Sequence, residues 1–140
     1  MNKTGPIIII EDDPDDQELL NQLFVELGLV NELRIFSDGA TALEYLMAPQ
    51  IRPFLILSDI NMPLMNGFQL RSRILNDSVL AEKCIPFLFC TTGASASVVR
   101  EAYKHSVQGI FQKPSLYEDW KQTLQSVVQY WSVAISPNRY

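Results

Sequence analysis

One hundred and forty residues, 47% hydrophobic and 19% charged, suit one domain with its own core and leave no room for a second. The net charge of −5 excludes the basic face that nucleic-acid binding needs. No apolar stretch approaches the roughly 20 residues of a membrane span, and residues 1–6 lack the shape of a signal peptide. A single cytoplasmic domain over 1–140 is expected, with its core at about 5–133 and a loose tail over 134–140.

The first predicted strand covers 6–10 and carries the run Ile7-Ile8-Ile9-Ile10 into the acidic element Glu11-Asp12-Asp13. A helix follows Pro14. Its stripe is Leu19, Leu23 and Leu27, with Leu20 and Phe24 beside it and Gly28 as a natural stop. Asp15, Asp16 and Glu18 are assigned to the positive end of that helix. A second strand at Leu33–Phe36 leads through Ser37-Asp38 into a helix over 39–48.

The third strand, over 54–58, ends at Asp59 in the segment Ser58-Asp59-Ile60-Asn61-Met62-Pro63. A helix over 66–76 follows, with Leu70 and Ile74 inward. The fourth strand, over 86–90, runs into Thr91 and Thr92. The helix over 95–106 is expected to turn Val98, Val99, Ala102 and Tyr103 to the core. The fifth strand, Gly109–Gln112, meets Lys113. Ser115 with Glu118 reads as a capping box, and Leu116, Trp120, Leu124, Val127 and Trp131 give the last helix one apolar face.

The first, third and fourth strands are near-continuous hydrophobics, as parallel strands covered on both faces should be. Five βα units imply a right-handed, doubly wound five-stranded parallel sheet with five helices. Cys84 and Cys90 fit no metal-ligand spacing and read as buried small hydrophobes rather than a disulfide. The lone His105, beside Lys104, reads as solvated rather than as a phosphorelay donor.

Strands that end in carboxylates bring them to one edge of a parallel sheet, where open α/β folds build their sites. Clustered carboxylates repel one another unless a hard cation sits among them. Asp12, Asp13 and Asp59 therefore point to Mg²⁺-assisted phosphoryl transfer to an aspartate, with Thr91 and Lys113 at neighbouring strand ends. Three rivals fit less well. An aspartate-nucleophile phosphatase of the haloacid dehalogenase type needs a carboxylate at position 61, which is asparagine. A flavodoxin-like carrier needs a hydroxyl-rich loop where this one is acidic, and no G-x-G-x-x-G follows any strand.

With Glu11-Asp12-Asp13, Asp59 in its Ser-Asp-Ile-Asn-Met-Pro setting, Gly67, Thr91 and Lys113-Pro114, the chain resembles the receiver domain of two-component response regulators over nearly its whole length. The resemblance implies the flavodoxin-like receiver fold and phosphorylation of Asp59 by a sensor histidine kinase, with the domain catalysing its own phosphorylation and dephosphorylation. Mg²⁺ would be held by Asp13 and Asp59, by Asp12 largely through water, and by the backbone carbonyl of Asn61. Thr91 and Lys113 would contact phosphoryl oxygens, and the Lys113–Pro114 peptide would be cis.

Output would be protein–protein contact with a downstream protein, with possible homodimerisation through the fourth helix, fifth strand and fifth helix. That face is expected to carry Tyr103, Ile110, Tyr117 and the edge near Trp120. A constitutive, phosphorylation-independent interaction module is the alternative within the same class. Two positions depart from the family pattern. Ile110 stands where an aromatic is usual, with Phe111 pointing the opposite way, and Thr92 is bulkier than usual. The last helix resembles that of stand-alone receivers that partner phytochrome-type kinases; chemotaxis-type receivers are the other similar group.

Overall fold

The computed structural model describes residues 3–135. Among them strand and helix alternate: β1 (Ile7–Ile10), α1 (Pro14–Leu27), β2 (Leu33–Phe36), α2 (Gly39–Leu46), β3 (Leu55–Ser58), α3 (Gly67–Asn76), α4 (Ser78–Glu82), β4 (Phe87–Thr91), α5 (Ala96–Lys104), β5 (Gly109–Gln112) and α6 (Tyr117–Val133). The strands form one parallel sheet in the order β2-β1-β3-β4-β5. This is the flavodoxin-like strand order of a doubly wound α/β fold. Residues 136–140 of the expected tail lie outside the described residues.

Alternation along the strands sorts the apolar side chains into two layers. Ile8, Ile10, Ile56, Phe87 and Phe89 pack under α2, α3, α4 and α5 through Ala42, Leu46, Leu70, Ile74, Leu80 and Ala102. Ile7, Ile9, Leu55, Leu57, Leu88 and Cys90 pack under α1 and α6 through Leu20, Leu23, Phe24, Trp120, Leu124 and Val127. Every residue of β1, β3 and β4 is buried. Each buried Ile, Leu or Phe among them contributes about 1.5–3 kcal/mol of transfer free energy, and the unbroken apolar runs are the result of covering both sheet faces.

Several expectations need correction. There are six helices among the described residues, because Asp77 caps a short extra one: its side chain accepts from the amides of Val79 and Leu80. The Ser115–Glu118 capping box does not form; α6 starts at Tyr117 behind Leu116, with no side-chain cap. On α5, Ala102 is fully buried, but Tyr103 is 55% exposed. Cys90 is buried and Cys84 exposed, both as free thiols.

Two cations were not legible as core residues. Lys83 is buried, and its ammonium donates to the carbonyls of Leu46 (2.5 Å), Ala48 (3.0 Å) and Ile51 (3.0 Å), closing the C-terminal end of α2. Arg71 donates to the carbonyls of His105 (3.1 Å) and Ser106 (2.8 Å), tying α3 to the end of α5. Three charge-assisted bonds offset the burial of the lysine.

Candidate functional site

The last rungs of the sheet hold the functional backbones in place. The Glu11 amide donates to Phe36 O (2.9 Å), that of Asp59 to Ile10 O (2.9 Å), and that of Lys113 to Thr91 O (2.8 Å). The ends of β1, β3, β4 and β5 therefore open on one crevice, at the β1–β3 switch point of the strand order.

Carboxylate oxygens of Glu11, Asp12 and Asp59 lie within 4.8 Å of one another, the donor set of a hard-cation site. The Lys113 ammonium also neutralises them. It donates to Glu11 Oε2 (2.7 Å), Asp16 Oδ2 (3.2 Å) and Asp59 Oδ2 (3.3 Å). Burial pushes the Glu11 carboxyl up to about 7; the hydrogen bond and charge of Lys113 oppose that rise and the charge of Asp59 adds to it. Burial alone would lower the pKa of Lys113, but Glu11, Asp59 and Asp16 together raise it, so the lysine stays charged.

Asp59 is held from both sides: Oδ1 accepts from the Ile60 amide (2.7 Å) while Oδ2 faces the ammonium. Beyond it, the Gly67 amide donates to Ile60 O (2.7 Å), which folds the Asn61–Asn66 segment back into a tight loop. Leu64 in that loop takes a left-handed φ of 69°.

Of the residues expected in the site, Asp12, Asp59 and Lys113 meet. Asp13 does not join the carboxylate cluster. Its Oδ1 caps α1, accepting from the amides of Asp15 (2.8 Å) and Asp16 (3.4 Å). Its own amide donates to Glu11 Oε1 (3.1 Å). Thr91 is buried at the end of β4, where its hydroxyl accepts from the Gly93 amide (3.4 Å). Asn61 is exposed, two residues past Asp59. The Lys113–Pro114 peptide is trans rather than cis.

Sequence reasoning missed Glu11 and Asp16 as site residues. The signal for Glu11 was present. Counting in twos from Ile7 and Ile9 gives Glu11, from Leu55 and Leu57 gives Asp59, and from Gly109 and Phe111 gives Lys113, all on the α1–α6 side of the sheet. Asp16, assigned to the helix terminus, reaches Lys113 from α1, which covers that same side. His105 is half-buried rather than freely solvated: its ring stacks on Phe68 (5.0 Å between centroids) and its Nδ1 lies 2.9 Å from Glu101 O.

Ile110 packs in the layer with Val98, and Phe111 packs in the opposite one, as the alternation predicts. Tyr117 and Trp120 lie with Phe111, so the expected output residues are divided between the two sides of the sheet.

The profile of the response regulator receiver domain family matches residues 7–125. The probable methanogenesis regulatory protein FilR2 of Methanothrix harundinacea is 30% identical over 129 residues, covering 89% of this chain and 82% of that protein. Response regulator Rcp1 of Synechocystis is 27% identical over 135 residues, covering 93% and 90%. The Mn²⁺-bound form of Rcp1 superposes with a TM-score of 0.78 at 25% identity, over 94% of this chain and 96% of that one. The phosphorylated cyanobacterial phytochrome response regulator RcpA reaches 0.83 at 24% identity, over 95% and 98%, a likeness of fold. No helix among the described residues is long and apolar enough to cross a membrane. With its five parallel strands and an acidic crevice facing one lysine, the chain belongs to the response regulator receiver domain family.

Proposed function

We propose that Asp59 accepts a phosphoryl group from the phosphohistidine of a sensor kinase, and that the domain itself supplies the catalytic groups. The observation that carries this reading is the Lys113 ammonium placed between Glu11 Oε2 and Asp59 Oδ2. It puts a fixed positive charge beside the carboxylate that ends β3. In the transfer, an Asp59 oxygen forms the new O–P bond as the P–N bond to imidazole breaks, and the leaving nitrogen is protonated. Lys113 then balances charge on the phosphoryl oxygens.

The donor set fits a divalent cation: three carboxylates of a half-buried crevice, with no soft ligand among them. Asp12 and Asp59 would hold it directly, with Glu11 behind them and the Asn61 carbonyl as a further ligand; Asp13 is left to the helix cap. Mg²⁺ is the cation proposed. When bound, it would neutralise the charge that accumulates on the phosphoryl oxygens. Thr91 would turn its hydroxyl to a phosphoryl oxygen and carry the change into the loop to Ser95 and α5. Downstream, a protein partner would read α5, β5 and α6, a face through which two copies could also pair.

Incubation with a small-molecule phosphodonor tests the reading. Acid-labile phosphate that appears only with Mg²⁺ is the expected outcome, and labelling that ignores the metal would contradict it.

A further inference from the structure

The Lys113 ammonium has three N–H donors, and each has a carboxylate partner. Glu11 is closest at 2.7 Å, Asp16 follows at 3.2 Å, and Asp59 is the most distant at 3.3 Å. Glu11 and Asp59 belong to the crevice at the strand ends. Asp16 does not. It stands in the first turn of α1, a position at which its carboxylate would be explained by the helix terminus alone. That task already has an owner in Asp13, whose side chain caps the helix and accepts from the Asp16 amide itself.

The three acceptors also differ in what it costs to release them. The side chains of Glu11 and Asp59 are 4% and 11% exposed, whereas that of Asp16 is 36% exposed. A buried carboxylate that loses its cation is left unsolvated, but Asp16 can exchange the ammonium for water. It is therefore the partner that can let go of Lys113 when a phosphoryl group on Asp59 demands more of its charge.

We propose that Asp16 is a positioning residue: it tethers the Lys113 ammonium toward α1 and restrains its approach to the phosphoryl group on Asp59. The inference rests on Asp59 being the phosphoacceptor. It assigns Asp16 a restraining part. With the tether removed, Lys113 turns its third donor to the phosphoryl oxygens, so phosphate is acquired faster and held longer. The effect is about two- to fivefold, the size that a partly exposed ion pair commands. Asp15 provides the control, because it lies next to Asp16, carries the same charge, and makes no bond to Lys113.

Two measurements on the full chain test this with Asp16→Ala and Asp15→Ala. The first is the NMR signal of the Lys113 side-chain ammonium without phosphodonor. It should move in Asp16→Ala and stay in place in Asp15→Ala. The second is the rate of Asp59 labelling by acetyl phosphate with Mg²⁺, with the lifetime of the product. Both should rise in Asp16→Ala alone.

Equal effects of the two variants would reduce Asp16 to bulk charge and overturn the tether, as would an unmoved ammonium signal. Slower labelling of Asp16→Ala would mean that Asp16 assists transfer, the opposite of the proposal. A wild-type protein that takes no phosphate on Asp59 would refute the phosphoacceptor reading and with it the effect on transfer. The ammonium signal alone still decides whether the tether exists.

Discussion

A methyl group on Gly67 would stand 2.5 Å from the backbone carbonyl oxygen of Asp59, and as close as 2.7 Å to the Phe89 ring. Helix α3 therefore begins directly against the backbone of Asp59, a contact that only glycine permits. The close approach explains why the loop after Asp59 is so tight, and it couples movement of that loop to α3.

Gly67→Ala should accordingly destabilise the fold by about 1–3 kcal/mol, the usual cost of forcing an atom into a filled space against backbone. Urea denaturation measures it. A change within a few tenths of a kcal/mol would mean that the loop can move aside.

The acidic element should separate into two functions. Mg²⁺ should raise the melting temperature by binding the folded site, and Asp12→Asn ought to abolish that rise, since Asp12 belongs to the carboxylate cluster. Asp13→Asn should keep that rise, because asparagine caps a helix as well as aspartate does. Asp13→Ala should lower stability by about 1 kcal/mol with the metal response retained. Thermal melts of the three variants with and without Mg²⁺ are the check. Loss of the metal response in Asp13→Asn would return Asp13 to the ligand set.

Lys83→Ala should cost about 2–4 kcal/mol, because it strands the carbonyls of Leu46, Ala48 and Ile51 in a buried setting. Acetyl-phosphate labelling per folded molecule should remain normal, since this lysine lies on another part of the fold from the crevice. Denaturant melts and a labelling assay together distinguish the two effects.

The two thiols should differ sharply. Burial pushes the Cys90 thiol up to about 12, from an ordinary value of 9.0, whereas Cys84 is exposed. An alkylating reagent at pH 8 should modify one cysteine per folded chain, identified as Cys84 by peptide mapping. The sign of the pH effect follows. Above pH 9 the unfolded thiol ionises while the folded one stays protonated, so the stabilising preference is full below 9 and is lost as pH climbs toward 12. Wild type should lose stability over that range more steeply than Cys90→Ala.

Much of the fold was legible because its signals are local. Apolar runs such as Ile7-Ile8-Ile9-Ile10 can only be strands buried on both faces, and β2 and β5 fall at their expected bounds. The short α4 was missed because five residues show no period, and its cap at Asp77 is one side chain. Lys83 and Arg71 were invisible as structural residues because their carbonyl partners lie more than 30 residues away, as does the Phe68 ring that stacks on His105, and no pattern along the chain reports such contacts. Three acids in a row look alike along the chain, so the capping role of Asp13 is not legible there. Only the strand's alternation and the turn into α1 decide that Glu11 and Asp12 face the crevice and Asp13 the helix.

The central claim is tested most directly by mapping the phosphorylated residue. Full-length protein is treated with acetyl phosphate and Mg²⁺, the acyl phosphate is trapped by borohydride reduction, and peptides are read by mass spectrometry. Asp59 should carry the label, and the Asp59→Asn variant should carry none. A label on any other residue, or undiminished labelling of Asp59→Asn, would contradict the account.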